Sequence, residues 1–396
     1  MKNIIEKPEG KNMRSKSQII NIAFSFLVFI IILIFSVHIF HTQTKIPSDL
    51  SGHLVLVKLI ESGTLKFAEV GFEYTVYILS KLLHIKYSIA AIFLLVSATL
   101  VLSSIIFSIL KNNLKTNNLL VCLFTLLLLI PTAIYFPTFN KYIILGQGSP
   151  NVWHNPTLLM IKPFAFLITI LAIKALKTNQ CSYWIAGAIL LLISMAYKPS
   201  FGVVFIPAFA IYILINHRKY LYTYLYSFFM VFPSLLFVLW QIHMLIHHGF
   251  PGGLKTSIII APFGVLHLYT KNVFISFLLG LGFPLTILIF RWRQVWHNAY
   301  LQLSWLMLLI GYTQMALFAF NGAPFSSGDF FWGYYVAMPL VYVYSFIEYY
   351  KWIECSIKLK IIIDLIKITF IGFILFLHLI SGSYYLFKII TGSLPL

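Results

Sequence analysis

The sequence predicts an all-α polytopic membrane protein with about eleven transmembrane helices. Three observations carry that prediction. First, 60% of the residues are hydrophobic and only 10% are charged, and the mean hydropathy of +0.92 lies outside the range of a soluble globular domain. Second, several apolar runs reach the roughly 20 residues that cross a bilayer core. Third, the cations are dispersed between those runs. The net charge of +18 therefore reads as membrane topology and not as a nucleic-acid-binding surface.

In chain order, residues 1–17 read as a basic cytoplasmic tail and 18–396 as a single transmembrane domain. The first apolar run, 18–40, is too long for a cleaved signal peptide and lacks a small-residue cleavage site, so it is expected to stay as a span and anchor. Further spans are expected near 88–110, 119–138, 157–176, 182–198, 200–216, 221–246, 272–290, 301–320, 331–349 and 361–381. Alternate connections are short and basic. They hold Lys111 and Lys115, Lys174 and Lys177, Arg218 and Lys219, Arg291 and Arg293, and Lys351, Lys358 and Lys360. With Arg14 in the tail, they include every arginine of the chain. The positive-inside rule makes them cytoplasmic. The protein is then multi-pass in the cell membrane, with its N-terminus cytoplasmic and its C-terminus outside.

The other connections form the outer face: 41–87, 139–156, the turn at Lys198-Pro199-Ser200, 247–271, 321–330 and the tail after 382. They are longer and carry the unusual residues, so function is expected there. Within 41–87, segments 54–70 and 72–87 have helical apolar spacing but are too short and too charged to span. Two interfacial helices fit better. They either cap the bundle or roof a site opening to lipid. The three cysteines, at 122, 181 and 355, leave the outer face with neither a disulfide nor a Cys-based metal site. No CxxC, HExxH, P-loop or GxGxxG occurs, which argues against nucleotide hydrolysis.

Asp49 is the central candidate. It is one of only ten Asp and Glu residues and lies just past the exit of the first span. It is the best-placed general base, with His53 and His154 to assist or orient it. The run Gly146-Gln147-Gly148-Ser149-Pro150-Asn151-Val152-Trp153-His154-Asn155-Pro156 clusters amide, indole and imidazole groups between turn formers. Gln147, Asn151, Trp153 and Asn155 suit a sugar or a pyrophosphate. The same run also suits an interface turn with Trp153 in the aromatic belt. Lys198 sits at a sharp outer turn, placed to clamp a lipid phosphate or to snorkel to headgroups. Lys162 lies slightly inside the fourth span, where an ionisable residue is a functional suspect by default. Asp329 is a second acid, a metal-ligand partner or a helix N-cap, the last being the commonest for an Asp before an apolar helix. Glu61, Glu69 and Glu73 are expected on solvated helix faces.

The layout resembles the GT-C superfamily of integral-membrane glycosyltransferases. Ile46-Pro-Ser-Asp49-Leu-Ser-Gly-His53 occupies the position of that family's acidic residue after the first span. Leu145-Gly146-Gln147, then Ala186-Gly187-Ala188 and Lys198-Pro199, is similar to the Gly-Gln and Lys-x-x-Pro run of polyprenol-phosphate-mannose-dependent mannosyltransferases. Here the Lys and Pro are adjacent rather than spaced. The resemblance covers roughly residues 18–220. It implies an inverting transfer of a sugar from a polyprenyl-phosphate donor to a glycan or glycolipid acceptor, a step of cell-envelope polysaccharide synthesis. Asp49 would deprotonate the acceptor hydroxyl. Lys198, with Lys162 or His154, would stabilise the leaving phosphate. Gln147, Asn151, Trp153, Asn155 and His53 would bind sugar. No cofactor is firmly implied, and a divalent metal stays open. Two other classes remain. A lipid-linked glycan polymerase or ligase would look to outer arginines, which are absent from the outer loops. A flippase or transporter would show internal repeats and broken helices. Pro131, Pro163, Pro207 and Pro233 within spans favour the latter, but the two halves show no repeat.

Overall fold

The computed structural model describes residues 9–64, 70–151, 153–218, 221–248 and 256–393. Glu69, expected on a solvated helix, lies outside them. The first helix, α1 (Glu9–Gln43), begins well inside the expected tail, and its apolar part is Ala23–Gln43. Two shorter helices follow, α2 (Asp49–Glu61) and α3 (Gly71–Leu83), in place of the segments expected at 54–70 and 72–87. They pack on each other and on α4 (Tyr87–Asn113).

The segment expected as a span over 119–138 is helical only in α5 (Asn118–Leu128). Pro131 explains the stop, since proline has no N–H to donate and its ring clashes with the preceding turn. The chain then runs extended, with its polar groups satisfied by protein. Thr132 N–H donates to His378 O at 3.3 Å and Ile134 N–H to Leu279 O at 2.9 Å. Tyr135 N–H donates to Ser381 Oγ at 3.0 Å. His378 Nδ1 lies 2.6 Å from Thr132 O, so Nδ1 carries the proton and Nε2 accepts from Phe283 N–H at 3.3 Å. Non-helical backbone is tolerated at membrane depth when protein buries it in this way.

A helical hairpin follows, α6 (Pro156–Thr178) and α7 (Cys181–Tyr197), then α8 (Ser200–Asn216) and α9 (Leu221–His248). The 247–271 connection contains β1 (Ile258–Ile260) and the one-turn α10 (Leu266–Tyr269). Then come α11 (Val273–Phe290), α12 (Trp292–His297) and α13 (Ala299–Leu317). β2 (Phe318–Phe320) pairs antiparallel with β1, with Ile259 opposite Ala319. This small sheet departs from the all-α expectation and replaces the end of the helix expected over 301–320. Two 3₁₀ turns, Ala323–Ser327 and Asp329–Phe331, lead into α14 (Trp332–Leu359), and α15 (Ile362–Ile390) closes the chain.

Asparagine is the recurrent start signal. Asn117, Asn155, Asn272 and Asn298 each accept a backbone N–H three residues on, at the N-termini of α5, α6, α11 and α13. Among the described residues, seven helices are long and apolar enough to cross a membrane, within α1, α4, α6, α9, α11, α14 and α15. The shorter apolar α7 and α8 have 17 residues each; at 1.5 Å rise that is about 26 Å, just under a bilayer core of about 30 Å. The chain is thus a multi-pass, predominantly helical membrane protein. At its centre runs α14, buried continuously from Trp332 to Glu348 and packed against α13, α8, α11, α15 and α6. The α13 contact is close because residue 311 is glycine: a Cβ there would sit 2.6 Å from Tyr334 N.

Candidate functional site

Asp49 is the first residue of α2. Ser48 caps that helix, its Oγ accepting from Ser51 N–H at 3.2 Å while Ser51 Oγ accepts from Ser48 N–H at 2.9 Å. Ser48 Oγ also donates to Gln43 O at 2.7 Å. The last turn of α1 and the first of α2 are thereby tied together, and the Asp49 carboxylate is held at the junction. Asn155 Nδ2 donates to Asp49 Oδ2 at 2.8 Å. His154 Nε2 lies 3.9 Å from the same oxygen. A cavity of about 190 Å³ opens in front, walled by Asp49, Gln43, Tyr142, His154, Ser327, Trp332 and Tyr385. Burial pushes His154 below its ordinary value; Asp49 pulls the other way, and Lys162 and Lys198 reinforce the fall. The imidazole is therefore neutral at pH 7.

Lys198 ends α7. Its ammonium donates to Thr157 Oγ1 at 3.1 Å and lies 4.7 Å from the centre of the Trp332 ring. It lines a second cavity, of about 220 Å³, in which Gln241, Gln314 and Asp329 are the other polar side chains of note. The remaining wall is largely apolar, with Val203, Val238, Ile242, Leu245, Ile258 and Phe320. Trp332 lines both cavities, and the His154 ring lies 6.1 Å from its indole. One aromatic side chain thus stands between a chamber that bears Asp49 and one that bears Lys198 and Asp329.

The structure brings Asp49, His154, Asn155 and Lys198 to this place, with Asp329 lining the second chamber. The other residues named from the sequence stand elsewhere. Trp153 is buried, its indole N–H donating to Leu129 O at 3.1 Å and its ring against Phe35 and Phe40. Gln147 is buried and donates to Tyr142 O at 2.9 Å. Asn151 Oδ1 accepts from Trp153 N–H at 3.1 Å. Lys162 is buried in α6 and donates to Asn151 O. These four shape the 139–156 loop and line neither chamber.

Three expectations need correcting. His53 pairs with Glu73 between α2 and α3, and Glu73 is buried rather than solvated. A buried carboxylate needs such a partner. Glu61, by contrast, is exposed and pairs with Lys81 at 2.6 Å. Asp329 is no N-cap of α14: that position is Phe331, and the Asp329 carboxylate accepts from Ser327 Oγ. The chain makes a 3₁₀ turn before α14 begins, which moves the acid one turn upstream of the cap. Among the described residues, no three of His, Cys, Asp and Glu gather closely enough to hold a metal ion.

Trp332, Tyr385, Thr157 and Gln43 were not singled out from sequence. Thr157 had a local signal, since Asn-Pro-Thr is a capped helix start. Tyr385 had none, because it reaches the site from the last helix across 231 positions to His154, 3.4 Å from its Nδ1. No protein-family model matches this chain, and no curated protein is significantly similar to it.

Proposed function

We propose that this chain is an outward-facing membrane glycosyltransferase of the GT-C kind. It moves a sugar from a polyprenyl-phosphate donor to a hydroxyl of a glycan or glycolipid. The observation that carries the reading is the pair of chambers that share Trp332, with Asp49 in one and Lys198 in the other, where Asp329 also lies. Glycosyl transfer from a phosphate needs a base for the attacking hydroxyl and a counter-charge for the departing phosphate.

In this reading the acceptor hydroxyl enters the first chamber and gives its proton to Asp49 as its oxygen bonds to the anomeric carbon. The bond from that carbon to the phosphate oxygen breaks, and its electron pair leaves with the phosphate. Lys198 neutralises that charge at the second chamber. Base and leaving group on opposite sides give direct displacement with inversion. The apolar wall of the second chamber suits a prenyl chain, and the neutral His154 supports Asp49 without competing for its charge. The eleven-span topology, with an outer C-terminus and cytoplasmic basic loops, belongs to this proposal.

The competing flippase reading drew on in-span prolines. Pro131 does break a helix, but the extended stretch after it is held by His378, Ser381 and Leu279. None of its residues lines either chamber. Proteoliposomes given radiolabelled polyprenyl-phosphate sugars decide between the two. Label in a glycan or glycolipid is expected; label that only crosses the bilayer would support the flippase.

A further inference from the structure

A continuous hydrogen-bonded chain links the two chambers. Lys198 Nζ donates to Thr157 Oγ1 at 3.1 Å. Thr157 Oγ1 donates to Asn155 Oδ1 at 2.8 Å. Asn155 Nδ2 donates to Asp49 Oδ2 at 2.8 Å. An ammonium can only donate and an ionised carboxylate can only accept. The two ends therefore fix the direction of every bond between them. The Asn155 amide cannot flip, because its oxygen also accepts from Leu158 N–H at 2.8 Å as the cap of α6. Asn155 and Thr157 are both buried, so no bond in the middle of the chain competes with bulk water.

We propose that Asn155 and Thr157 are positioning residues that hold the base and the phosphate-binding cation in one polarised chain at the start of α6. The inference rests on the glycosyltransferase reading. It makes positioning rather than sugar contact the main role of Asn155, since its oxygen accepts two hydrogen bonds and its nitrogen already donates to Asp49. It also assigns the reacting atom: with Oδ2 held by Asn155, Oδ1 of Asp49 faces the acceptor, and among the described residues it has no hydrogen-bond partner. A phosphate bound by Lys198 draws on the same ammonium that donates to Thr157, so donor binding acts on one end of the chain. The start of α6 keeps the two charges in register on either side of Trp332.

Two measurements test this separately from the reading it rests on. The first is a double-mutant cycle on thermal stability. Asp49→Ala and Thr157→Val remove groups that both hydrogen-bond to Asn155 and not to each other. Their Tm losses are expected not to add, and the non-additivity is expected to vanish in an Asn155→Ala background. Additive losses would overturn the bridge. The second is transfer kinetics. Thr157→Val is expected to raise the donor KM about tenfold with the acceptor KM unmoved, and Thr157→Ser is expected to restore it. Asn155→Asp keeps an equally good helix cap but sets a second carboxylate against Asp49. It is expected to lower kcat and to move the acid limb of the pH–rate profile to higher pH, which a mere cap would not do. An unchanged donor KM in Thr157→Val, or an unmoved profile in Asn155→Asp, would overturn the proposal. Wild-type protein that transfers no sugar would sink the glycosyltransferase reading instead, with the stability cycle still deciding the bridge.

Discussion

At the scale of single residues, the two charges are held very differently. Asp49 is fixed by a neighbour's amide and stays partly open to solvent. Lys198 rests on an aromatic face and a hydroxyl. Lys198→Ala is therefore expected to raise the donor KM about tenfold while the acceptor KM holds, as measured by transfer kinetics with each substrate varied in turn. His154 gives a prediction that needs no substrate. Its folded value lies below the ordinary 6.5, so the unfolded chain takes up that proton first. The stability present above that pH is lost as pH falls from about 6.5 toward the folded value. Thermal melts between pH 7.5 and 5 should show the midpoint falling, with a shallower fall in His154→Gln. Legibility at this scale was uneven. Asp49 stood out because acids are rare and it follows a span. Glu73 was misread because its partner, His53, lies 20 positions away on another helix. Trp332 was not legible, because its place between two chambers depends on α6, α7 and α8 arriving around it.

At the scale of elements, apolar run length located the helices and failed where backbone chemistry interrupted them. Pro131 was visible in the sequence, yet the run on either side was apolar enough to read as one span. The start of α2 was set later than found because its capping box is Ser48 with Ser51, not the usual Ser with Glu. The Ile258-Ile259-Ile260 run had strand character, but its partner β2 is the end of a segment whose hydropathy reads as helix. The extended stretch after α5 makes a sharp demand on α15. At Gly382 a Cβ would lie 2.0 Å from Ile130 O. Gly382→Ala is expected to destabilise the protein by about 1–3 kcal/mol through overpacking, read as a lowered Tm in detergent, whereas Gly52→Ala, with nothing near its Cβ position, should melt close to wild type.

At the scale of the whole molecule, two independent patterns converge on one end of the bundle. The loops assigned to the outer face by charge contribute Asp49, His154, Lys198, Ser327 and Asp329 to the two chambers. The arginines all fall in the N-terminal tail and the alternate connections. Composition made the membrane class legible without any structure, because 10% charged residues is far below the roughly 25% usual in soluble domains. The meeting of α2, α6, α7, α14 and α15 at one site was not legible, since no local pattern encodes which helix ends are neighbours. In a variant lacking Cys122, Cys181 and Cys355, Ser327→Cys is expected to react with a membrane-impermeant thiol reagent added to intact cells. Reaction only after lysis would invert the topology.

The chambers gain their meaning from Asp49, so the decisive measurement is sugar transfer in proteoliposomes, wild type against Asp49→Asn, with radiolabelled polyprenyl-phosphate sugars. The substitution keeps the size of the side chain and removes its basicity. Transfer is expected to fall by about 10²–10⁴-fold, with folding and donor binding retained. An Asp49→Asn protein that transfers sugar at the wild-type rate would contradict the role given to this carboxylate and, with it, the division of the site into a base chamber and a phosphate chamber.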